Sequence, residues 1–435
     1  MSKCYILSVD MGYGHQRTAY AIKGLGEIIN VNNYEGMPEK DRKIWKTMRN
    51  SYELISNIYR FPIFGKIIFA IFDRFQKIFN FYPKREISKP NLQLKQNYAL
   101  IKRGWGRDLI EKLKIKNERL KTNLPIISTF FTPAFMAENF NYPGEIYCVI
   151  CDADISRTWA SFDPKKSKIK YFASTERVVK RLKLYGVKPE NIFFTGYPLP
   201  PENIGSEKME ILKQDLKYRL LNLDPQKKYF EKYKDLIESR LDQLPENYDH
   251  PLTIMFSVGG AGAQKESGIK IVKSLAEKIK NNEIKIILSA GIKEKVKEYF
   301  EKNLKKLKLG NTLGQEIEII FEKDIEKYFQ KFNEKLRKTD ILWTKPSELS
   351  FYAALGIPII IAPPIGSQEE FNMRWLQKSG FGIFQENPIY TKEWLFDWLN
   401  RGYLAEAAMQ GFVEGEKLGT YKIKQIIFQT GDEHF

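Results

Sequence analysis

Twice along this chain a short apolar run ends in a glycine loop that opens a helical pattern. The first case is residues 5–9, then the loop 10–14, then an amphipathic stretch from Gln16 through Ile22 and Leu25. The second is residues 252–258, then Gly259-Gly260-Ala261-Gly262-Ala263-Gln264, then a helix from about Lys265. Strand, glycine loop and helix in repetition argue for parallel sheets covered by helices on both faces. Further apolar runs extend each series: 28–31, 126–129, 146–150, 170–173 and 191–195 in the first, and 284–288, 317–321, 341–343 and 357–362 in the second. Residues 205–250 break the rhythm, being rich in Lys, Glu and Asp with no strong strand. The expectation is an α/β protein of two doubly wound domains facing a cleft, since such sheets bind ligands at their strand ends. The boundaries read as 1–204, with a basic aromatic insertion at about 40–121, a helical inter-domain region 205–250, a second domain 251–390, and a helical tail 391–435.

Charge adds a second constraint. The formal net charge is +17. Residues 1–204 hold 34 basic against 19 acidic side chains, and residues 40–121 alone hold 21 against 7. An excess this local points to a phosphate-rich partner surface rather than to general solubility. The three cysteines, Cys4, Cys148 and Cys151, form no even framework. Cys148 and Cys151 make a CxxC without a second pair or a flanking His, and read as buried thiols of a reducing cytosol. No signal peptide is visible, and no apolar run approaches a membrane span.

The loop Asp10-Met11-Gly12-Tyr13-Gly14-His15 lets backbone amides approach an anionic or hydroxylated ligand at a helix start. It matches a dinucleotide fingerprint only in part, because the third glycine position is Arg17. No P-loop pattern occurs, which argues against nucleotide hydrolysis of that type. His15 is one of three histidines; His250 lies in the inter-domain region and His434 near the end. At a strand-to-helix turn, His15 reads either as a general base near neutral pH or as a structural capping group.

In the second half, the small residues 259–263 remove the side chains that would block a diphosphate, beyond what a tight turn needs. Thr344-Lys345-Pro346-Ser347-Glu348 follows another apolar run. After the next run come Gly366-Ser367-Gln368-Glu369-Glu370-Phe371-Asn372, where Gln368, Glu369 and Asn372 can share one helical face and grip sugar hydroxyls. Capping and a solvated helix start are the plainer alternative.

The order of these motifs, with Thr195-Gly196-Tyr197-Pro198 and Gly356-Ile357-Pro358 between them, resembles one glycosyltransferase group. It includes the monogalactosyldiacylglycerol synthases, the processive diacylglycerol glucosyltransferases and the MurG-type transferase (family 28-like). The likeness covers roughly residues 3–200 and 250–385. It implies the GT-B fold of two Rossmann-like domains, an N-terminal one for the acceptor and a C-terminal one for a UDP-sugar. It implies no cofactor and no metal, because loop amides and helix dipoles stabilise the departing diphosphate. His15 is then the candidate base, Asp10 its orienting group, and Asp152 or Asp154 the alternative base. Gly259, Gly260, Gly262, Ala263, Gln264, Lys345, Ser347, Glu348, Gln368, Glu369 and Asn372 are expected on the donor side. Gly12, Tyr13, Gly14, Thr132 and Trp159 are expected on the acceptor side. One departure stands out: where relatives carry a ribose-binding Glu, this chain has Phe351, with Glu348 one turn earlier.

The implied activity is hexosyl transfer from a nucleotide-diphosphate donor to a lipid-linked or membrane-associated hydroxyl. A sugar-nucleotide epimerase and a non-catalytic GT-B-like binding protein are the alternatives. Residues 52–82 alternate aromatic and aliphatic residues with sparse positive charges, a pattern for a helix lying in an anionic membrane interface or for a buried helix pair. The location expected is the cytoplasm, peripheral on the inner face of the membrane. No nucleic-acid module accompanies the basic region, so nucleic acid is not an expected partner.

Overall fold

The computed structural model describes residues 3–58, 78–259, 262 and 264–429. Most of the proposed interfacial stretch, residues 59–77, lies outside the described residues, as do Gly260 and Ala263. The chain divides into two compact units. One comprises Met1–Pro198, Ile365–Phe371 and Leu418–Phe435; the other comprises Leu199–Pro364 and Asn372–Lys417.

The first unit is built on strands β1 (Tyr5–Ser8), β2 (Glu27–Asn30), β3 (Ile126–Ser128), β4 (Ile146–Val149), β5 (Lys170–Ala173) and β6 (Ile192–Phe194). All pair in parallel, in the order β2-β1-β3-β4-β5-β6. Every residue of β1, β3 and β4 is buried. Strands covered on both faces read as unbroken apolar runs, which is why they were legible.

The second unit repeats the plan with β7 (Leu252–Ser257), β8 (Ile284–Gly291), β9 (Ile317–Phe321), β10 (Ile341–Thr344), β11 (Ile359–Ile361) and β12 (Gly382–Phe384). Its parallel order is β12-β11-β10-β7-β8-β9, the arrangement of dinucleotide-binding sheets. Both units are thus doubly wound and Rossmann-like. In each, the chain reverses its direction of travel beside the first strand: between β1 and β3 in one, between β7 and β10 in the other. Helices diverge there and leave a crevice at the carboxyl ends of the strands.

Strand β12 has no counterpart in the sequence reading. Its three residues, Gly382-Ile383-Phe384, are too few to carry a period. Residues 205–250 form helices Glu210–Leu223 and Lys228–Leu241, which count with the second unit. Fully buried Arg219 ties the first of them down, donating from Nε to the Thr339 carbonyl at 2.8 Å and from Nη1 to the Leu355 carbonyl at 3.0 Å.

The C-terminal tail is helical but does not act as one element. Thr391–Arg401 and Tyr403–Glu414 belong to the second unit. Gly419–Gln429 belongs to the first, where Ile423 and Ile427 enter the core formed by Cys4, Ile6, Ile127, Tyr147, Val149 and Phe172. Burying such a side chain stabilises by about 1.5–3 kcal/mol, enough to recruit a terminal helix to a distant sheet. Among the described residues, no helix is long and apolar enough to cross a membrane.

Candidate functional site

Each unit carries sequence-predicted residues on the loops and helix starts that follow its strands. In the first, Gly12 precedes the helix Tyr13–Ala21 with φ 96°, a conformation that favours glycine over any residue with a Cβ. The turn lifts His15 into the first helical turn, where it is half-buried. Its Nδ1 lies 2.7 Å from the Thr129 carbonyl oxygen, just past β3. A carbonyl can only accept, so Nδ1 carries the proton. In the neutral ring Nε2 is then the unprotonated nitrogen, the one able to accept a proton.

Aromatic rings wall this imidazole. The Phe130 ring stands edge-on at 4.8 Å, and the Trp159 ring lies 6.3 Å away. Trp159 is itself packed edge-on against Phe131 at 5.3 Å. Thr132 is fully buried one residue further along the helix Phe131–Asn139. Tyr13 is also buried, and the Gly14 carbonyl accepts from Thr18 Oγ1 at 2.8 Å. Of the acceptor-side residues, Trp159 is therefore brought to His15.

The three aspartates are placed differently. The Asp10 carboxylate pairs with Arg49, whose Nη1 lies at 2.5 Å, while the Asp10 backbone exchanges hydrogen bonds with Asn32. Asp154 is buried and receives Arg181 on both oxygens, at 2.8 and 2.7 Å. Such a bidentate pair holds the loop after β4 on the helix Glu176–Leu184. Asp152 is half-buried, and its carbonyl accepts from Ser174. The group that orients His15 is thus a backbone carbonyl, which no side-chain motif could reveal. Sequence reasoning also passed over Cys151, whose Sγ lies 3.5 Å from the same Nδ1. The available signal was its position two residues past β4, matching that of Asp10 past β1.

In the second unit, Gly259 follows β7 and Lys345 follows β10. The Lys345 side chain runs directly over Gly259: a Cβ placed there would stand 2.3 Å from the lysine Cε. Glycine at 259 is what lets a flexible cation lie along the loop. Gln264 begins the helix Lys265–Ser274 and donates from Nε2 to the Pro363 carbonyl at 2.7 Å, linking the loops after β7 and β11. Gly262, between Gly259 and Gln264 in the loop after β7, is buried. Asn372, buried on the helix Ser367–Lys378, donates to the Pro346 carbonyl at 3.3 Å. The start of that helix counts with the first unit, contrary to the expected domain boundary: there Gln368 is half-buried, and Glu369 accepts from the Ile365 amide at 2.8 Å.

Ser347 precedes a 3-10 helix, Glu348–Leu355, all of it buried. Residues three apart eclipse in a 3-10 helix, so Glu348 and Phe351 lie in one row. The Phe351 ring packs on Trp375 at 5.0 Å, and Trp375 on Phe381 at 5.3 Å. Position 351 is therefore part of an aromatic core.

Comparison with known proteins finds relatives at low identity. A family model described as a domain of unknown function (DUF6938) matches residues 231–374. The chain is 25% identical over 217 residues to the processive diacylglycerol beta-glucosyltransferase of Bacillus subtilis (strain 168), covering 49% of this chain and 45% of that one. That match thus spans about half the length of the relative. It is 22% identical over 398 residues to the enzyme of the same name from Bacillus pumilus (strain SAFR-032), covering 88% of this chain and 82% of the other. Among solved structures, a putative UDP-N-acetylglucosamine 2-epimerase from Listeria monocytogenes aligns at 13% identity and a TM-score of 0.49, over 100% of this chain and 98% of that one. The likeness read from the motif order holds: the chain's relatives are diacylglycerol glucosyltransferases, and its two sheets are of the GT-B class.

Proposed function

We propose that this protein is a glycosyltransferase that moves a sugar from a UDP-sugar to a hydroxyl of a lipid-linked or membrane-associated acceptor. The observation that carries the reading is the 2.7 Å contact between His15 Nδ1 and the Thr129 carbonyl oxygen. The Thr129 carbonyl fixes the proton on Nδ1, and Nε2 is left as a base at the carboxyl edge of a doubly wound sheet. A hydroxyl held beside Nε2 loses its proton as its oxygen attacks the anomeric carbon, and the bond from that carbon to the nucleoside diphosphate breaks. Trp159 and Phe130 offer flat apolar surfaces against which a sugar or lipid headgroup can lie. On the donor side, the Lys345 ammonium and the amides at the start of Lys265–Ser274 would carry the charge that develops on the diphosphate. The role is played by fixed donors and a cation, so this reading assigns no metal ligands.

The test is transfer and hydrolysis against a panel of UDP-sugars, with and without diacylglycerol vesicles, using wild type and His15→Ala. Unchanged turnover in the variant removes His15 from the mechanism. A second reading, a different nucleotide, is favoured by Phe351, which fills the row expected to hold a ribose carboxylate and packs on Trp375. Calorimetry separates the two: no heat at millimolar UDP, with heat from another nucleoside diphosphate, would displace UDP from the proposal. Peripheral attachment is tested by flotation with anionic liposomes at low salt.

A further inference from the structure

We infer that Cys151 is a positioning residue for His15, and that it acts as a neutral second acceptor on the imidazole Nδ1–H. This rests on the reading of His15 as the base. Cys151 Sγ lies 3.5 Å from His15 Nδ1, and the Thr129 carbonyl oxygen lies 2.7 Å from the same nitrogen. The oxygen has no proton to give, so Nδ1 holds one. The thiol therefore does not donate to Nδ1; its sulfur accepts from it. Two acceptors of different chemistry on one N–H define the tautomer more firmly than one, because ring rotation breaks both contacts.

The choice of sulfur has a consequence. A carboxylate at this point would favour the imidazolium and raise the pH at which His15 becomes a base. A neutral thiol orients the ring without that charge. The other ionisable groups around this edge are disposed accordingly. Asp10 on the loop after β1 is paired with Arg49, and Asp154 on the loop after β4 is paired with Arg181. Asp152 follows Cys151 directly, and Arg17 is buried on the His15 helix. Cys151 is 5% exposed, whereas Cys4 and Cys148 are fully enclosed. Burial pushes the Cys4 thiol up to about 12 and raises Cys148 as well. These two belong to the core, while the third faces the imidazole.

The experiment uses the full chain labelled with 15N, in which only three imidazoles need to be assigned. Ring-nitrogen shifts are recorded across pH for wild type, Cys151→Ala and Cys151→Asp, beside kcat and KM for transfer. In wild type, His15 is expected as the Nδ1–H tautomer above its titration. Cys151→Asp is expected to raise the His15 titration by at least a unit, by placing a charge at contact distance. Cys151→Ala is expected to lower kcat roughly three- to tenfold, the worth of one modest hydrogen bond, with KM for the donor unchanged. An Nε2–H tautomer in wild type, or a His15 titration unmoved by Cys151→Asp, overturns the inference. If no sugar transfer is found at all, the tautomer and titration still decide it, so its failure is separable from that of the proposed reaction.

Discussion

At the edge between β1 and β3 the chain gathers an imidazole, a thiol and aromatic rings; at the edge between β7 and β10 it gathers glycines, a lysine and backbone carbonyls. The sheets beneath are wound alike, with the switch point beside the first strand in both. The difference lies in what each loop is asked to stabilise. On the proposed reading His15 transfers a proton and must be held in one tautomer, and Thr129 and the aromatic rings hold it so. On the same reading the second loop meets a diphosphate, which calls for close backbone approach and positive charge, and Gly259 yields space to Lys345. One topology thus serves two chemistries because the sheet fixes only where the loops meet, not what they carry.

The contrast can be broken most sharply at His15. His15→Ala is expected to lower the transfer rate by roughly 10²–10⁴-fold while leaving nucleotide binding by calorimetry unchanged. Loss of nucleotide binding in that variant would end the division of labour. Asp154→Asn strikes the scaffold of the same edge. It leaves Arg181 buried with half its partner, and is expected to cost about 3–5 kcal/mol in denaturant unfolding, with turnover per folded molecule retained below the transition. Lys345→Ala is the converse of the first test: nucleotide affinity should fall by about 10- to 100-fold, the worth of a charge-assisted contact, with the His15 titration unmoved. Gly259→Ala should act in the same direction, because the new Cβ displaces the lysine Cε.

The smallest effect is expected at the amino ends of the second sheet, away from either loop set. His250 there reaches the buried Asp340 with Nε2 at 3.2 Å and Asp249 with Nδ1. Burial disfavours its charged form, yet the two carboxylates prevail and raise its pKa above the ordinary 6.5. A group with a raised folded pKa adds stability that is full below its unfolded value and lost as pH rises through the folded one. Thermal stability should therefore fall as pH climbs from about 6.5 through that elevated value, and His250→Gln should flatten this slope without altering turnover. A slope that survives the substitution would assign it to other groups.

How much of this was legible follows from the range of the forces involved. Eleven of the twelve strands announced themselves as apolar runs, most plainly β1, β3 and β4, where burial on both faces leaves few polar residues to interrupt the run. Strand β12 did not, since three residues starting at Gly382 draw their strand character from pairing with β11. Gly12, Gly259 and His15 stood out as residues whose backbone or ring chemistry is unusual at a strand-to-helix turn. Their partners did not. The Thr129 carbonyl meets His15 only because β3 lies beside β1, and that neighbourhood is set by a pairing across more than a hundred residues. Asp154 read as a free acid until Arg181 was found on both its oxygens. The last helix looked like a tail until Ile423 and Ile427 entered the first sheet's core. By itself the sequence determined the α/β plan, the two glycine loops and the residues able to do chemistry, because these depend on local period and side-chain type. Only the tertiary structure decided which nitrogen of His15 is basic, which aspartates are spent on arginines and where Lys345 lies, because each depends on strand order and on contacts between segments far apart in the chain.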